Sequence, residues 1–182
     1  MTEGPTLPPV TLVLGGARSG KSRYAERLVE SHSGKCIYIA TAEAKDAEMA
    51  QRIERHRVRR GDRWATVEVP LDLVTALGAH CRPGAAVLVD CLTLWLSNLM
   101  GVGRNPVRES DTLVSALPAL RGPVVFVSNE VGLGIVPENA LARHFRDHAG
   151  HLHQAMAAAA QSVAFVVAGL PFNLKSPEMT FS

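Results

Sequence analysis

An apolar pair, Val13-Leu14, runs into Gly15-Gly16-Ala17-Arg18-Ser19-Gly20-Lys21-Ser22, and a segment with helical spacing at Tyr24, Leu28 and Val29 follows. The pattern G-x-x-x-x-G-K-S between a strand and a helix is a phosphate-binding loop. A polyphosphate needs converging N–H donors, and residues without bulky side chains let the backbone wrap that closely. Gly15, Gly16 and Gly20 meet this need, and Ala17, Arg18 and Ser19 complete the loop. Lys21 is placed to act catalytically as a point charge on the terminal phosphates, and Ser22 to hold Mg²⁺. The helix behind them turns its positive N-terminal end to the same anion. The plain alternative is a glycine-rich turn between strand and helix.

Short apolar runs recur at residues 11–14, 36–40, 86–89, 124–127 and 163–168, each beside a segment of helical length and period. This alternation predicts an α/β fold: a P-loop NTPase with a RecA-like, mostly parallel sheet and helices on both faces. Continuous runs such as Val87-Leu88-Val89 and Val124-Val125-Phe126-Val127 are what strands covered on both faces require. Ligands in such sheets sit at the strands' carboxyl ends. A chain of 182 residues is long enough for one well-buried domain, so the expected organisation is a flexible leader at 1–10 and a single nucleotide-binding domain at 11–182. Residues 1–9 hold three prolines and no basic stretch leading into an apolar core, unlike a secretory signal. The apolar stretch at 155–170 is interrupted by Gln161 and Ser162 and reads as a helix end followed by a strand, not a membrane span of about 20 residues. Residues 101–106 are the expected exposed loop.

A formal charge of +2, from 19 basic and 17 acidic side chains, is too balanced for a protein that holds nucleic acid by bulk charge. Any basic function must be local. Cys36, Cys81 and Cys91 show no C-x-x-C pair and no metal-ligand spacing, so they read as reduced, buried thiols and point to a cytoplasmic setting.

The densest basic cluster is Arg52, Arg55, His56, Arg57, Arg59 and Arg60, with Val58 inside it. A solvated helix face explains such a run, and so does a nucleic-acid contact. A third reading starts from His56: surrounding cations disfavour its charged form and keep the imidazole neutral, hence nucleophilic, while the arginines hold a triphosphate. Glu68 ends an expected short strand at 64–69 and reads as a surface residue or as an acceptor for the N1 and N2 donors of guanine. Asp90 closes the apolar run at 86–89, as the Mg²⁺-supporting acid of a Walker B strand does. It also stands just before a helical segment, where aspartate is a favoured cap.

Ser128-Asn129-Glu130 follow the run at 124–127 and face the ligand crevice if that run is a strand; ordinary turn chemistry explains Gly132, Gly134 and Pro137 equally well. In the long helix opened by Pro137-Glu138-Asn139, Leu141, Phe145, Leu152 and Met156 form the expected core stripe. His144, His148, His151 and His153 form the expected solvated face. The His144/His148 pair has no completing ligand, and zinc is not predicted.

Four segments together resemble one family. They are the Gly-Gly-Ala-Arg-Ser-Gly-Lys-Ser loop; Tyr38-Ile39-Ala40-Thr41; Arg52-Ile53-x-x-His56-Arg57 with Trp64; and Asn129-Glu130-Val131-Gly132-x-Gly134-Ile135-Val136-Pro137-Glu138-Asn139. The chain is similar, from about residue 11 to 175, to the bifunctional adenosylcobinamide kinase/adenosylcobinamide-phosphate guanylyltransferases of cobalamin assembly. The resemblance implies phosphorylation of a hydroxyl on adenosylcobinamide, then GMP transfer from GTP through a histidine–GMP intermediate to give adenosylcobinamide-GDP. It implies GTP, ATP and Mg²⁺, a corrinoid substrate, no nucleic acid, no membrane segment, and a homo-oligomer with a trimer as the expected form. By motif it makes His56 the histidine that carries GMP. It places nucleotide contacts at residues 15–22, at Ala40, Thr41 and Ala42, at Arg57, Val58, Arg59 and Arg60, and at Glu68 and Asp90. The chain departs from the family pattern at Arg60-Gly61, where Arg-Pro is usual, in a short region around 101–108, and at His153, where asparagine is usual.

Two other functions fit the loop. A RecA-like ATP-driven nucleic-acid binder would use the basic cluster and lose affinity steeply with salt. A simple small-molecule kinase would use His56 only to position phosphate.

Overall fold

The computed structural model describes residues 7–42 and 63–177. Strands β1 (Val10–Gly15), β2 (Lys35–Ala40), β3 (Trp64–Glu68), β4 (Ala85–Asp90), β5 (Val124–Asn129), β6 (Ser162–Val167) and β7 (Leu170–Lys175) form one seven-stranded sheet in the order β3-β2-β4-β5-β1-β6-β7. All pairings are parallel except that of β6 with β7. The described helices are α1 (Lys21–Glu30), α2 (Leu73–His80), α3 (Leu92–Gly101), α4 (Pro106–Ala116) and α5 (Ala140–Ala159), with a short 3-10 turn at Leu117–Ala119.

Because side chains alternate across a strand, the apolar runs feed two cores. Val10, Leu12 and Leu14 of β1, Val87 and Val89 of β4, and Val124 and Phe126 of β5 pack with Leu73, Leu92, Trp95, Leu113, Leu152 and Met156 from α2 to α5. Val13, Ala86, Leu88, Val125 and Val127 point the other way and meet Ala25 and Val29 of α1. Leu7 packs against this second core, and Val10 opens β1. None of the described helices is long and apolar enough to cross a membrane.

Helix ends follow local chemistry. Asn105 accepts from the N–H groups of Val107 and Arg108, with Pro106 at the first helical position of α4. The expected loop at 101–106 is therefore a brief link between α3 and α4. Asn139 caps α5 in the same way, and Lys175 donates to the last carbonyls of that helix at Ala157 and Ala158.

Three expectations are corrected. Ala168 does not extend β6: with φ of 51° it forms, with Gly169 at 81°, a two-residue hairpin turn into β7, a strand absent from the sequence-based expectation. Leu141 is 64% exposed, and the buried residues of α5 begin only at Ala149. His153 is only 6% exposed; Ala149, Leu152, His153 and Met156 form the buried i, i+3, i+4, i+7 face of the helix.

Candidate active site

The phosphate loop leaves the carboxyl end of β1 between β5 and β6. A Cβ on Gly15 would lie 2.5 Å from the Val166 carbonyl oxygen and 2.6 Å from Ser19 Oγ, so only glycine fits there. Gly20 caps α1 in the left-handed region at φ 94° and offers no side-chain acceptor, which leaves the first-turn N–H groups of α1 to an anion. The Ser19 N–H turns back to the Gly16 carbonyl at 3.3 Å. Lys21 is buried, and its Nζ donates to the Gly16 carbonyl at 3.1 Å, which holds the ammonium over the loop. The β6–β7 turn buttresses the same loop, with the Gly169 N–H donating to the Ser19 carbonyl at 2.8 Å.

A second group of residues lines the same sheet edge. Register places Ala40 opposite both Glu68 and Asp90, so these three end adjacent strands side by side. Asp90 Oδ2 accepts from the Tyr38 hydroxyl at 2.7 Å. Cys91, not Asp90, is the cap residue of α3, and no side chain caps that helix. The capping alternative for Asp90 is thereby removed. Glu68 is exposed and Ala42 half-buried at this edge. Thr41 has a supporting position: its buried hydroxyl accepts from the Cys91 N–H and donates to the Cys91 carbonyl, both at 2.8 Å, stitching β2 to β4. For Mg²⁺ the donors are of the right kind, a hydroxyl at Ser22 and a carboxylate at Asp90, both hard oxygens. They stand at the carboxyl ends of β1 and β4, with β5 between. Among the described residues no group of three or more His, Cys, Asp or Glu forms a metal cluster. His56, Arg57, Val58, Arg59 and Arg60 lie outside the described residues.

Between the two groups, β5 brings a third. Asn129 Nδ2 donates to Thr93 Oγ1 at 3.0 Å. The N–H of Glu130 donates to the Gly15 carbonyl at 3.0 Å. Glu130 Oε1 accepts from the Gly132 N–H, and Oε2 lies 3.5 Å from His153 Nδ1. His153 Nε2 pairs with the buried Ser128 hydroxyl at 2.7 Å. At 3.5 Å the His153–Glu130 contact is longer than an ordinary hydrogen bond, and Nδ1 has no hydrogen-bond partner.

The family model for Cobinamide kinase / cobinamide phosphate guanyltransferase matches residues 11–174. The chain belongs to that family. It is accordingly a kinase and guanylyltransferase of cobalamin biosynthesis. Among relatives, the bifunctional adenosylcobalamin biosynthesis protein CobP of Pseudomonas aeruginosa is 50% identical over 90% of this chain and 96% of its own length. The bifunctional adenosylcobalamin biosynthesis protein CobU of Escherichia coli is 44% identical over 90% and 98%. The solved structure of the flagellar accessory protein FlaH from Methanocaldococcus jannaschii superposes with a TM-score of 0.58 at 14% identity, covering 95% of this chain and 81% of FlaH. A second solved structure, an ATPase domain, gives 0.50 at 14% identity over 86% of this chain and 68% of its own. Both likenesses concern fold, and that fold is the P-loop NTPase.

Tyr38 and His153 are not among the residues the sequence places at the site, whereas Glu130 is read either as facing the ligand crevice or as turn chemistry. Polar residues at the end of β5 were the available signal for Glu130; its partner lies on a helix 23 positions on and cannot be read from spacing. Burial pushes the His153 imidazole below its ordinary value of 6.5, and the Glu130 carboxylate pulls it partly back. The ring pairs with the Ser128 hydroxyl at Nε2, and its buried Nδ1, which makes no hydrogen bond, faces the Glu130 carboxylate. The unfolded chain takes up a proton at this position near pH 6.5, before the folded protein does. This contribution to stability is therefore complete above pH 6.5 and is lost as pH falls through the lower folded value. We expect His153→Asn to flatten that arm of a Tm series run from about pH 7.5 to about pH 5. An unchanged slope would assign the dependence elsewhere. The thiols are free and buried, and burial alone pushes Cys81 up to about 12, far from reactivity.

Proposed function

We propose that the chain phosphorylates adenosylcobinamide and then transfers GMP from GTP to the product through a GMP adduct on His56, yielding adenosylcobinamide-GDP. The observation that carries this reading is the closed glycine cradle of residues 15–22, with Lys21 held over it at the sheet edge that also ends in Glu68 and Asp90. In the kinase half the loop amides and Lys21 offset negative charge on the transferring γ-phosphoryl, with ATP or GTP as donor. Ser22 and Asp90 would hold Mg²⁺, which supplies further positive charge to the phosphate oxygens when bound.

In the second half His56 attacks the α-phosphorus and pyrophosphate leaves; the cobinamide phosphate then displaces the imidazole, splitting one hard substitution into two. Arg57, Arg59 and Arg60 neutralise charge around that histidine, and Ala40, Ala42 and the Val58 backbone line the nucleotide. Glu68, exposed beside Ala40, takes the guanine donors. Reduced, buried cysteines suit a cytoplasmic enzyme. Leu170, Phe172 and Leu174, exposed along the edge strand β7, favour a homo-oligomer, a trimer by resemblance.

The test supplies adenosylcobinamide, ATP, GTP and Mg²⁺ and follows corrinoid masses over time. The expected result is a phosphate adduct that converts to a GDP adduct. Nucleotide hydrolysis stimulated by polynucleotide, with no corrinoid product, would refute it.

A further inference from the structure

We propose that Glu130 is the general base of the kinase step, taking the proton of the corrinoid hydroxyl, and that His153 positions its carboxylate. This rests on the kinase reading above and adds a residue to it. Placement is the first argument. The strand β5 runs between β1, which feeds the phosphate loop, and β4, which ends in Asp90. Glu130 is the first residue beyond β5, and its N–H is tied to Gly15, the first residue of the loop, at 3.0 Å. Its backbone is thereby fixed to the start of the phosphate loop.

Exposure is the second argument. The Glu130 side chain is 22% exposed, whereas that of His153 is 7% exposed and Ser128 is fully buried. Of the three, the carboxylate is the group a substrate can reach. The third argument is the way it is held. Ser128 and Glu130 are two residues apart and lean to the same side of the sheet, where α5 packs. There the Gly132 N–H fixes one carboxylate oxygen and the His153 ring faces the other at 3.5 Å, the ring itself locked by Ser128 at 2.7 Å. A histidine at a core position flanked by Leu152 and Met156 costs stability unless its polar atoms are used. Here Nε2 is used by the Ser128 hydroxyl, and Nδ1, with no hydrogen bond of its own, is turned to the Glu130 carboxylate at 3.5 Å.

The two half-reactions differ in their need for a base. An alcohol must lose its proton as it attacks phosphorus; a phosphate monoester is already anionic near neutral pH. In the kinase step the hydroxyl proton moves to a Glu130 oxygen while the substrate oxygen bonds to the γ-phosphorus. The bond from that phosphorus to the β–γ bridging oxygen breaks, and the nucleoside diphosphate leaves with the electron pair. Glu130 then returns the proton to water. GMP transfer to a supplied cobinamide phosphate uses no such step.

Glu130→Gln is therefore expected to lower kcat for adenosylcobinamide phosphorylation by about 10²- to 10³-fold with the nucleotide KM nearly unchanged. The same protein should still transfer GMP to supplied adenosylcobinamide phosphate, which also reports that it is folded. Glu130→Asp, keeping the charge but one methylene shorter, should lose kcat without loss of nucleotide affinity. His153→Ala should lower kcat about tenfold, and His153→Asn, which retains an N–H donor, should recover most of it. A Glu130→Gln protein that phosphorylates within about threefold of wild type, or one that loses both transfers together, overturns the proposal. Wild-type protein that phosphorylates no corrinoid refutes the kinase reading itself, and that outcome is read before any variant is compared.

Discussion

Lys21→Ala is expected to reduce phosphoryl transfer to adenosylcobinamide by about 10²- to 10³-fold or more, the cost of removing one preorganised positive group from a developing phosphoryl charge. Lys21 is 6% exposed and its ammonium is held at 3.1 Å from the Gly16 carbonyl, so it is oriented before any nucleotide arrives. Preorganisation of this kind accelerates chemistry without a reorganisation cost at the moment of reaction. Lys21→Arg should not restore the rate. The guanidinium is planar and wider than an ammonium, and the buried position between the loop and α1 suits a point charge. Single-turnover transfer of a labelled γ-phosphate measures the rate, and a melting curve separates loss of chemistry from loss of fold. A Lys21→Ala protein within about tenfold of wild type would show that the cradle amides suffice.

The second large effect is a division of labour. His56→Ala should lower GMP transfer by about 10⁴-fold or more, as loss of a covalent nucleophile does, while phosphorylation continues. Adenosylcobinamide phosphate would then accumulate in the presence of GTP. The two steps make unlike demands on the protein. On the proposed scheme phosphoryl transfer asks for positioned charge around the γ-phosphate, from residues 15–22, whereas guanylyl transfer asks for a neutral imidazole at the α-phosphorus. Corrinoid masses after a fixed incubation distinguish the outcomes. If both products vanish together, the histidine serves the cleft as a whole and the separation of roles is wrong.

What can be read from the chain depends on whether the signal is local. The phosphate loop is legible because two of its glycines answer a local requirement: the Gly15 position lacks space for a Cβ and Gly20 takes a left-handed φ. The parallel strands are legible because burial on both faces forces continuous apolar runs, and both cores are built from them. β7 is not. Leu170, Phe172 and Leu174 do alternate, but Pro171 interrupts the run, and proline is tolerated there because β7 is an edge strand. Thr41 is a ligand contact by the family resemblance, and the clamp it forms with Cys91 depends on a residue 50 positions away. His153 reads, with its neighbouring histidines, as part of a solvated face. It lies instead on the buried face of α5 beside Ser128 and Glu130, whose proximity to α5 is a product of the fold. Asp90 is intermediate: its place at a strand end is legible, while the Tyr38 hydroxyl on its Oδ2 is not.

The account depends most on a GMP group resting on the His56 imidazole. Incubating the protein with GTP labelled at either the α- or the γ-phosphorus, in the absence of corrinoid, addresses this directly. The account predicts an acid-labile label retained from the α-position alone, located on the peptide containing His56 and absent from His56→Ala. Equal α-labelling of wild type and His56→Ala, or retention of the γ-label in its place, would contradict it.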